Sequence, residues 1–202
     1  MIESVISFWR IWCIQFYILH FKFMKIVITL PIFIQNEADA IVAQFEQRGI
    51  DYLHLRKPQA SEEEVEELIR TIPEQYYSRI TIHDFQPLAQ KYGLGGIHLT
   101  GRHSEVEISG WEGRVSISCH SIEELARRKA EGFTYLSLSP IFDSISKQGY
   151  LAAFSPEALA EAKNQGIIDH CVLALGGVTF NRIEEVEAMG FGGAMILGDA
   201  WK

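Results

Sequence analysis

A regular alternation of short apolar segments with amphipathic segments of helical period, repeated eight times, most constrains how this chain can fold. The apolar segments span residues 25–30, 52–56, 80–83, 96–99, 115–118, 135–139, 172–175 and 194–197. Several are β-branched and apolar almost throughout, which is typical of parallel strands covered on both faces. The alternation predicts an α/β fold with a parallel sheet. Eight units favour a compact, closed (β/α)8 TIM barrel over a doubly wound open sheet, which stays open as the alternative.

The helices between these strands carry recognisable start signals. Residues 61–64 and 121–124 both read Ser-x-x-Glu, the pattern of a capping box, and Ser155 precedes Pro156 at the start of a further helix. Only residues 198–202 follow the last predicted strand, so the final helix of the barrel is expected to be missing or vestigial.

Residues 1–23 differ from the rest of the chain and are expected to lie outside the domain, which we place at residues 24–202. The segment is rich in aromatic residues, has an acidic residue, Glu3, near its start and ends in bulky residues, so it does not resemble a signal peptide. Arg10 and Gln15 interrupt the apolar run that a membrane-spanning helix needs. We expect either a misassigned start or an amphipathic helix, and we expect no membrane partner.

Charge and cysteine usage narrow the class of protein. The formal net charge is −8 and no Lys/Arg cluster is evident, so nucleic acid is not an expected partner. A phosphorylated substrate is compatible with this charge, because a few placed cations and backbone N–H groups bind phosphate. Cys13, Cys119 and Cys171 lack C-x-x-C spacing, which argues against a disulfide scaffold or a zinc knuckle and favours a cytoplasmic protein.

Polar side chains occupy the carboxyl ends of the predicted strands, where (β/α)8 barrels carry their chemistry. Four of the seven histidines, His54, His83, His98 and His120, lie in or just after strands. A buried imidazole needs water, a ligand or a hydrogen-bonding partner, so four on one rim predict a site rather than four separate core residues. Arg56 ends the second strand, and its guanidinium suits a carboxylate or phosphate partner.

The last loops predict that this site binds a phosphate. Glycines after strands 7 and 8 let backbone N–H groups approach phosphate oxygens, and residues 176–177 and Gly198 fit that requirement. The loop after strand 6 adds two hydroxyl groups and a cation, from Ser144, Ser146 and Lys147. Together with the imidazoles, these groups indicate a pocket for a phosphorylated small molecule and for proton transfer.

A series of short motifs resembles the thiamine phosphate synthase/TenI superfamily. In order along the chain they are LHLR (53–56), IHD (82–84), GIHL (96–99), SCHS (118–121), LSPIF…SISK (138–147), ALGGV (174–178) and GFGGAMILG (190–198). Each motif is short, but their joint order and spacing cover nearly all of residues 24–202. The resemblance implies a (β/α)8 barrel and a role in thiamin biosynthesis. The synthase joins a pyrimidine diphosphate to a thiazole phosphate with release of pyrophosphate, using magnesium, whereas TenI-type enzymes aromatise a thiazole phosphate carboxylate by a proton shift.

The resemblance also implies roles for the matched positions in the pyrimidine half of the pocket. Arg56 and Lys147 would hold the pyrophosphate beside Ser118. Asp84 would be a magnesium ligand, and His98 would line the pyrimidine pocket.

In the thiazole half, Ser144 and Ser146 would replace a pair of threonines. The thiazole phosphate would be bound through the backbone N–H groups of Gly176, Gly177, Leu197 and Gly198. His120 falls where TenI-type proteins carry the histidine proposed to move the proton.

Four positions depart from the synthase pattern. The family expects glutamine at His54, lysine at Pro58, asparagine at His83 and a second magnesium-binding aspartate at His103. Magnesium prefers oxygen ligands, so His103 is a poor replacement, and Lys57 would replace the missing cation only if its loop turned. Mg²⁺ is therefore expected only if the chain is a synthase, with no cofactor otherwise.

Three classes of function remain. We slightly prefer thiazole tautomerisation through His120, with synthase coupling as the alternative reaction. A second class is a non-catalytic protein that binds thiazole phosphate or thiamin phosphate. A third is a metal-dependent hydrolase that uses a set of histidines and one carboxylate, namely His54, His83, Asp84, His98 and His103. The sequence leaves the oligomeric state undetermined, and a homo-oligomer stays open.

Overall fold

The computed structural model describes residues 22–100, 105–106, 108–143 and 151–202. The predictions for residues 1–21, His103, Ser144, Ser146 and Lys147 lie outside the described residues, so the proposed extension and these loop roles stay predictions. Within the described part of the chain, no helix combines the length and the apolar character that crossing a membrane requires.

Eight parallel strands close into a barrel in which each strand pairs with the next and β8 pairs back with β1. The strands are β1 (Met24–Ile28), β2 (Tyr52–Leu55), β3 (Ile80–Ile82), β4 (Gly96–Leu99), β5 (Arg114–Cys119), β6 (Tyr135–Leu138), β7 (Val172–Leu175) and β8 (Gly193–Ile196). The predicted (β/α)8 barrel is confirmed and the open-sheet alternative is wrong, because the β1–β8 ladder leaves no sheet edge.

Helices follow the strands on the outside of the barrel. They are α1 (Glu37–Gln47), α2 (Glu62–Thr71), α3 (Pro87–Tyr92), α4 (Ile122–Arg128), α5 (Pro156–Asn164) and α6 (Ile183–Ala188). Ser61 forms a full capping box with Glu64 at the start of α2. After β8 the chain forms one short 3-10 helix, Gly198–Trp201.

Side-chain alternation along the strands separates an outer core from the barrel interior. Residues such as Leu53 and Ile97 face the helices and belong to the main hydrophobic cluster. Inside the barrel, strands β7, β8 and β1 contribute apolar side chains, whereas β2 to β6 contribute mostly polar ones. The apolar set is Ile26, Ile28, Leu173 and Met195, and the polar set is His54, Thr81, His98, Ser116 and Ser137, all buried.

The strand register sets the depth of each interior histidine. His54 lies opposite Thr81, and Thr81 lies opposite Gly96. His83 and His98 each lie two residues further toward the carboxyl end of their own strands. His54 therefore occupies a deeper layer than the other two imidazoles.

Candidate active site

A cavity of about 530 Å³ opens at the carboxyl ends of the strands. Its volume is in the ordinary range for a small-molecule site. The sequence-predicted residues that line it are Arg56, His83, His98, Ser118, His120, Gly176, Gly177, Leu197 and Gly198. The structure thus brings together nine of the predicted site residues, contributed by strands on both sides of the barrel.

Two predicted residues do not line this cavity. His54 is fully buried in the layer beneath it, so its imidazole is a floor residue rather than a wall residue. Asp84 follows His83 after β3 and is half-buried, but it is not among the lining residues.

The three interior imidazoles form a connected group. His54 Nδ1 is 2.9 Å from His83 Nε2, and His54 Nε2 is 2.6 Å from the Tyr135 hydroxyl. The rings of His83 and His98 stack with their centroids 4.2 Å apart. His83 Nδ1 is buried and has no hydrogen-bond partner among the described residues.

Two serine hydroxyls hold His98 from both sides. Its Nδ1 is 2.8 Å from Ser116 Oγ, and its Nε2 is 2.9 Å from Ser118 Oγ. Ser118 also accepts a hydrogen bond from the Ser137 hydroxyl. The ring orientation of His98 is therefore fixed before any ligand enters.

Burial keeps these imidazoles neutral. Desolvation, together with a smaller contribution from the charge of Arg56, lowers the pKa of His98 to about 3. Burial likewise lowers the pKa of His54 and that of His83 well below the ordinary value, with the neighbouring imidazoles adding to the effect. The cavity floor consequently offers neutral donors and acceptors near neutral pH.

Arg56 supplies positive charge to the wall. Its backbone is fixed by reciprocal hydrogen bonds with the Thr29 hydroxyl, 2.9 Å from Arg56 N and 3.1 Å from Arg56 O. Within the described part of the chain, its guanidinium has no carboxylate partner, so it is available to an anion. Arg56 lines the same cavity as His83 and His98, and its charge contributes to the lowered pKa of both imidazoles.

Lys57 does not supply the cation that Pro58 removes. Its ammonium is fully buried and donates to the carbonyl of Leu30, the carbonyl of Ile32 and the carboxylate of Glu37. The side chain is therefore directed into the loop after β1, away from the cavity. The expectation that Lys57 substitutes for the family lysine is wrong for this reason.

His120 lies on the rim beside β5 and is exposed. Its Nδ1 is 3.3 Å from the Ser139 hydroxyl, and its backbone N–H donates to the carboxylate of Glu124 at 2.8 Å. Ser121 caps α4 by accepting from the N–H of Glu124, as predicted, while the Glu124 carboxylate reaches back one residue further than a standard capping box. These contacts hold a titratable imidazole at the mouth of the cavity.

The opposite wall of the cavity is formed by glycines, which leave main-chain atoms exposed to it. Gly176 and Gly177 have φ values of 90° and 65°, a region that favours glycine. A Cβ on Gly177 would lie 2.7 Å from the Phe142 Cβ and closer still to the Asp143 carbonyl. Close packing against the loop after β6 therefore requires glycine here, whatever role its N–H has with a phosphate. Gly198 begins the short last helix, an arrangement common in the phosphate sites of these barrels.

Sequence reasoning missed several lining residues, including Glu124, Arg128 and Asp199. Glu124 and Arg128 project from the first and last turns of α4, a helix for which only the capping role was considered. Arg128 bonds Glu131 through Nη1, yet its buried Nε has no partner among the described residues. The signal in the sequence was that Glu124 and Arg128 are four positions apart, which places them on one face of a helix that begins just after His120.

Oxygen ligands for magnesium are limited in the described part of the chain. Asp84 is the carboxylate at the end of β3, and magnesium usually binds one or two carboxylates together with substrate phosphates and water. Asp84 therefore fits the minimum requirement, whereas the neutral imidazoles of the floor suit other metals.

Comparisons with known proteins identify the family to which the chain belongs. The family model described as thiamine monophosphate synthase (TMP-TENI) matches residues 26–198. Thiamine-phosphate synthase of Photorhabdus laumondii is 31% identical over 169 residues, covering 78% of this chain and 76% of that protein. The corresponding protein of Yersinia pseudotuberculosis is 31% identical over 160 residues, covering 74% and 72%. Among solved structures, thiamine phosphate pyrophosphorylase from Bacteroides thetaiotaomicron has a TM-score of 0.77 and 40% identity, covering 88% of this chain and 84% of that one. The chain belongs to the thiamine monophosphate synthase/TenI family and is an enzyme of thiamine biosynthesis.

Proposed function

We propose that the chain is a thiamine-phosphate synthase that couples a hydroxymethylpyrimidine diphosphate to a thiazole phosphate. The observation that carries the proposal is one cavity lined on one wall by Arg56, whose guanidinium has no carboxylate partner among the described residues, and on the other by glycine backbone. The relatives named thiamine-phosphate synthase favour coupling over the tautomerisation that the residues alone favour slightly.

In the coupling reaction the thiazole nitrogen forms a bond to the pyrimidine methylene carbon while the bond from that carbon to the diphosphate oxygen breaks. Arg56 would bind the diphosphate and stabilise the charge that accumulates on it as it departs. The imidazoles of His83 and His98 would orient the pyrimidine ring, because they are neutral and fixed in position. A magnesium ion held by Asp84 and phosphate oxygens would supply further positive charge to the leaving group.

The thiazole phosphate would occupy the opposite wall. The glycines at 176, 177 and 198 leave backbone N–H groups accessible there. Asp199 also lines the cavity, and its carboxylate accepts from Phe180 N at 3.1 Å and from Lys202 Nζ at 3.2 Å. These two donors reduce the repulsion between the Asp199 carboxylate and a phosphate bound nearby.

A paired assay tests the proposal. Purified protein is given both substrates with magnesium, and thiamine phosphate is measured; a parallel reaction measures tautomerisation of the thiazole phosphate carboxylate. Coupling that exceeds tautomerisation supports the synthase. Tautomerisation alone, or ligand binding by calorimetry with no turnover, would overturn it.

The Arg56→Met variant tests whether Arg56 binds the diphosphate substrate. Losing charge-assisted hydrogen bonds worth about 1.5–3 kcal/mol predicts a fall in kcat/KM for the diphosphate substrate of about 10- to 100-fold. Arg127→Met is the matched control, since Arg127 is exposed on α4 and does not line the cavity. An equal loss in both variants would contradict the role of Arg56.

Tautomerisation stays the second candidate because of one observation, the position of His120. Its imidazole lies at the cavity mouth beside the Ser139 hydroxyl, and a proton shift needs no metal. His120→Asn is expected to reduce tautomerisation by about 10²- to 10⁴-fold, the usual contribution of general acid–base catalysis, while coupling changes little.

A further inference from the structure

We infer that His54, His83 and His98 form a binding site for one divalent transition metal ion on the floor of the barrel. Each of the three residues offers one ring nitrogen, and these nitrogens all lie within 4.8 Å of one another. The inference goes beyond the proposed coupling reaction and is separate from magnesium at Asp84.

The closest pair of nitrogens is already near metal-ligand spacing. His54 Nδ1 and His83 Nε2 are 2.9 Å apart and share one proton. Two nitrogens on one tetrahedral zinc ion, each at about 2.0–2.1 Å, lie about 3.3 Å from each other. The distance between the two nitrogens would therefore lengthen by a few tenths of an ångström on metal binding, with the shared proton released and the rings turned so that both lone pairs face the ion.

The remaining ring nitrogens of His54 and His98, though not that of His83, have the partners that metal-bound histidines usually have. His54 Nε2 is held by the Tyr135 hydroxyl, and each nitrogen of His98 has a serine hydroxyl. Whichever His98 nitrogen binds the ion, the other keeps a partner that fixes the ring.

One ring nitrogen of His83 leaves the hydrogen-bond network incomplete. A hydrogen bond between His54 and His83 uses one proton, so His83 Nδ1 is left either with an unpaired N–H or with an unpaired lone pair. This atom is buried and has no partner among the described residues. His83 also lines the cavity, so a ligand entering there reaches this ring directly.

The donor set selects the class of metal. Imidazole nitrogen suits zinc, copper, nickel, cobalt and iron, whereas magnesium requires oxygen. Arg56 lies close enough for its charge to act on His83 and His98, which opposes binding of any cation held by charge alone. The site therefore favours an ion that forms strong bonds to imidazole. His83 and His98 border the cavity while His54 lies below, so a fourth position faces the substrate space.

Metal titration tests the inference without relying on activity. The untagged protein is stripped with a chelator and titrated with zinc by calorimetry and with cobalt by visible absorption. We expect one ion per chain, with a cobalt spectrum typical of low-coordinate nitrogen ligation. X-ray absorption on the zinc-loaded wild-type protein is expected to count three imidazoles. No binding, or a coordination shell made of oxygen alone, would overturn the inference.

Variants identify the ligands. His54→Gln and His83→Asn introduce the residues that the synthase pattern has at these positions, and each is expected to weaken zinc binding by at least about 100-fold. Tyr135→Phe keeps the ring and removes only the hydroxyl that holds His54, with an expected loss of about 10-fold. His120→Gln is the matched control, because this histidine borders the same cavity outside the cluster. A loss in His120→Gln equal to that in His54→Gln would refute the assignment.

Discussion

The buried ion pair between Lys57 and Glu37 allows a quantitative prediction of how much one contact at the end of the barrel contributes to the free energy of unfolding. Lys57 Nζ lies 2.6 Å from the Glu37 carboxylate, and the two side chains are 0% and 3% exposed. The same ammonium donates to the carbonyls of Leu30 and Ile32 at 3.0 Å and 2.6 Å. One side chain from the end of β2 thus fixes the loop after β1 and the first turn of α1.

Replacing Lys57 by Met keeps the length and apolar stem of the side chain but removes the charge. The Glu37 carboxylate is then buried without its counter-ion, a defect that costs about 3–5 kcal/mol. Domains are stable by about 5–15 kcal/mol, so the loss is a large part of the total. With a slope of about 2 kcal/mol per molar urea, the unfolding midpoint falls by about 2 M.

Equilibrium urea unfolding, followed by tryptophan fluorescence, measures this loss. The double variant Lys57→Met/Glu37→Met removes both charges and is expected to be at least about 2 kcal/mol more stable than the two single losses added together. Lys91→Met is the control, because Lys91 pairs with Glu66 at the surface and its loss costs at most about 1 kcal/mol. A Lys57→Met loss below about 1 kcal/mol, with no coupling in the double variant, would refute the reasoning.

Three further predictions concern stability. Ser61→Ala removes the hydroxyl that accepts from Glu64 N at the start of α2, and urea unfolding is expected to show a loss of about 1 kcal/mol. Gly177→Ala places a Cβ 2.7 Å from Phe142 Cβ at a positive φ, so a thermal melt is expected to show a loss above about 1 kcal/mol, and an unchanged melt would contradict the packing. The pKa of buried His98 is about 3, so the unfolded chain binds its proton first as the pH falls below about 6.5. The free energy of unfolding is therefore expected to decrease between about pH 6.5 and pH 3, by up to about 1.4 kcal/mol per pH unit for this histidine. Urea unfolding at several pH values measures the decrease. A free energy of unfolding that does not change with pH would contradict the burial of His98 as a neutral group.

Most of the fold could be predicted because each β-strand is short, apolar and bounded by polar or glycine residues. The predicted ranges agree with the observed strands to within about two residues at each end. Closure could be inferred only from the number of strands, since pairing between β1 and β8 joins segments nearly the whole chain apart. The first and last strands carry no local signal that they are neighbours.

The sequence predicted that the site side chains meet at one end of the barrel, but it did not predict how deep each side chain lies or which way it points. Strand-end position placed Arg56, His83 and His98 at one rim, and all three line the cavity. His54 precedes Arg56 by two residues, so it faces the same interior one layer lower, and only the register with β3 shows which side chains it meets. The direction of Lys57 depended on Glu37, a partner twenty positions earlier that no motif connected to it.

The unequal polarity of the barrel interior is the feature that ties the fold to its chemistry. A barrel filled only with the apolar side chains of β7, β8 and β1 would be stable without any polar partner. Strands β2 to β6 instead bury imidazoles and hydroxyls, each of which must form hydrogen bonds to avoid a loss of stability. The chain satisfies most of these groups internally through Tyr135 and Ser116 and their neighbours, but leaves His83 Nδ1 and Thr81 Oγ1 without a described partner. Of these two residues only His83 lines the cavity, so a bound ligand can reach its ring, whereas the unpaired Thr81 hydroxyl in the layer below only reduces stability.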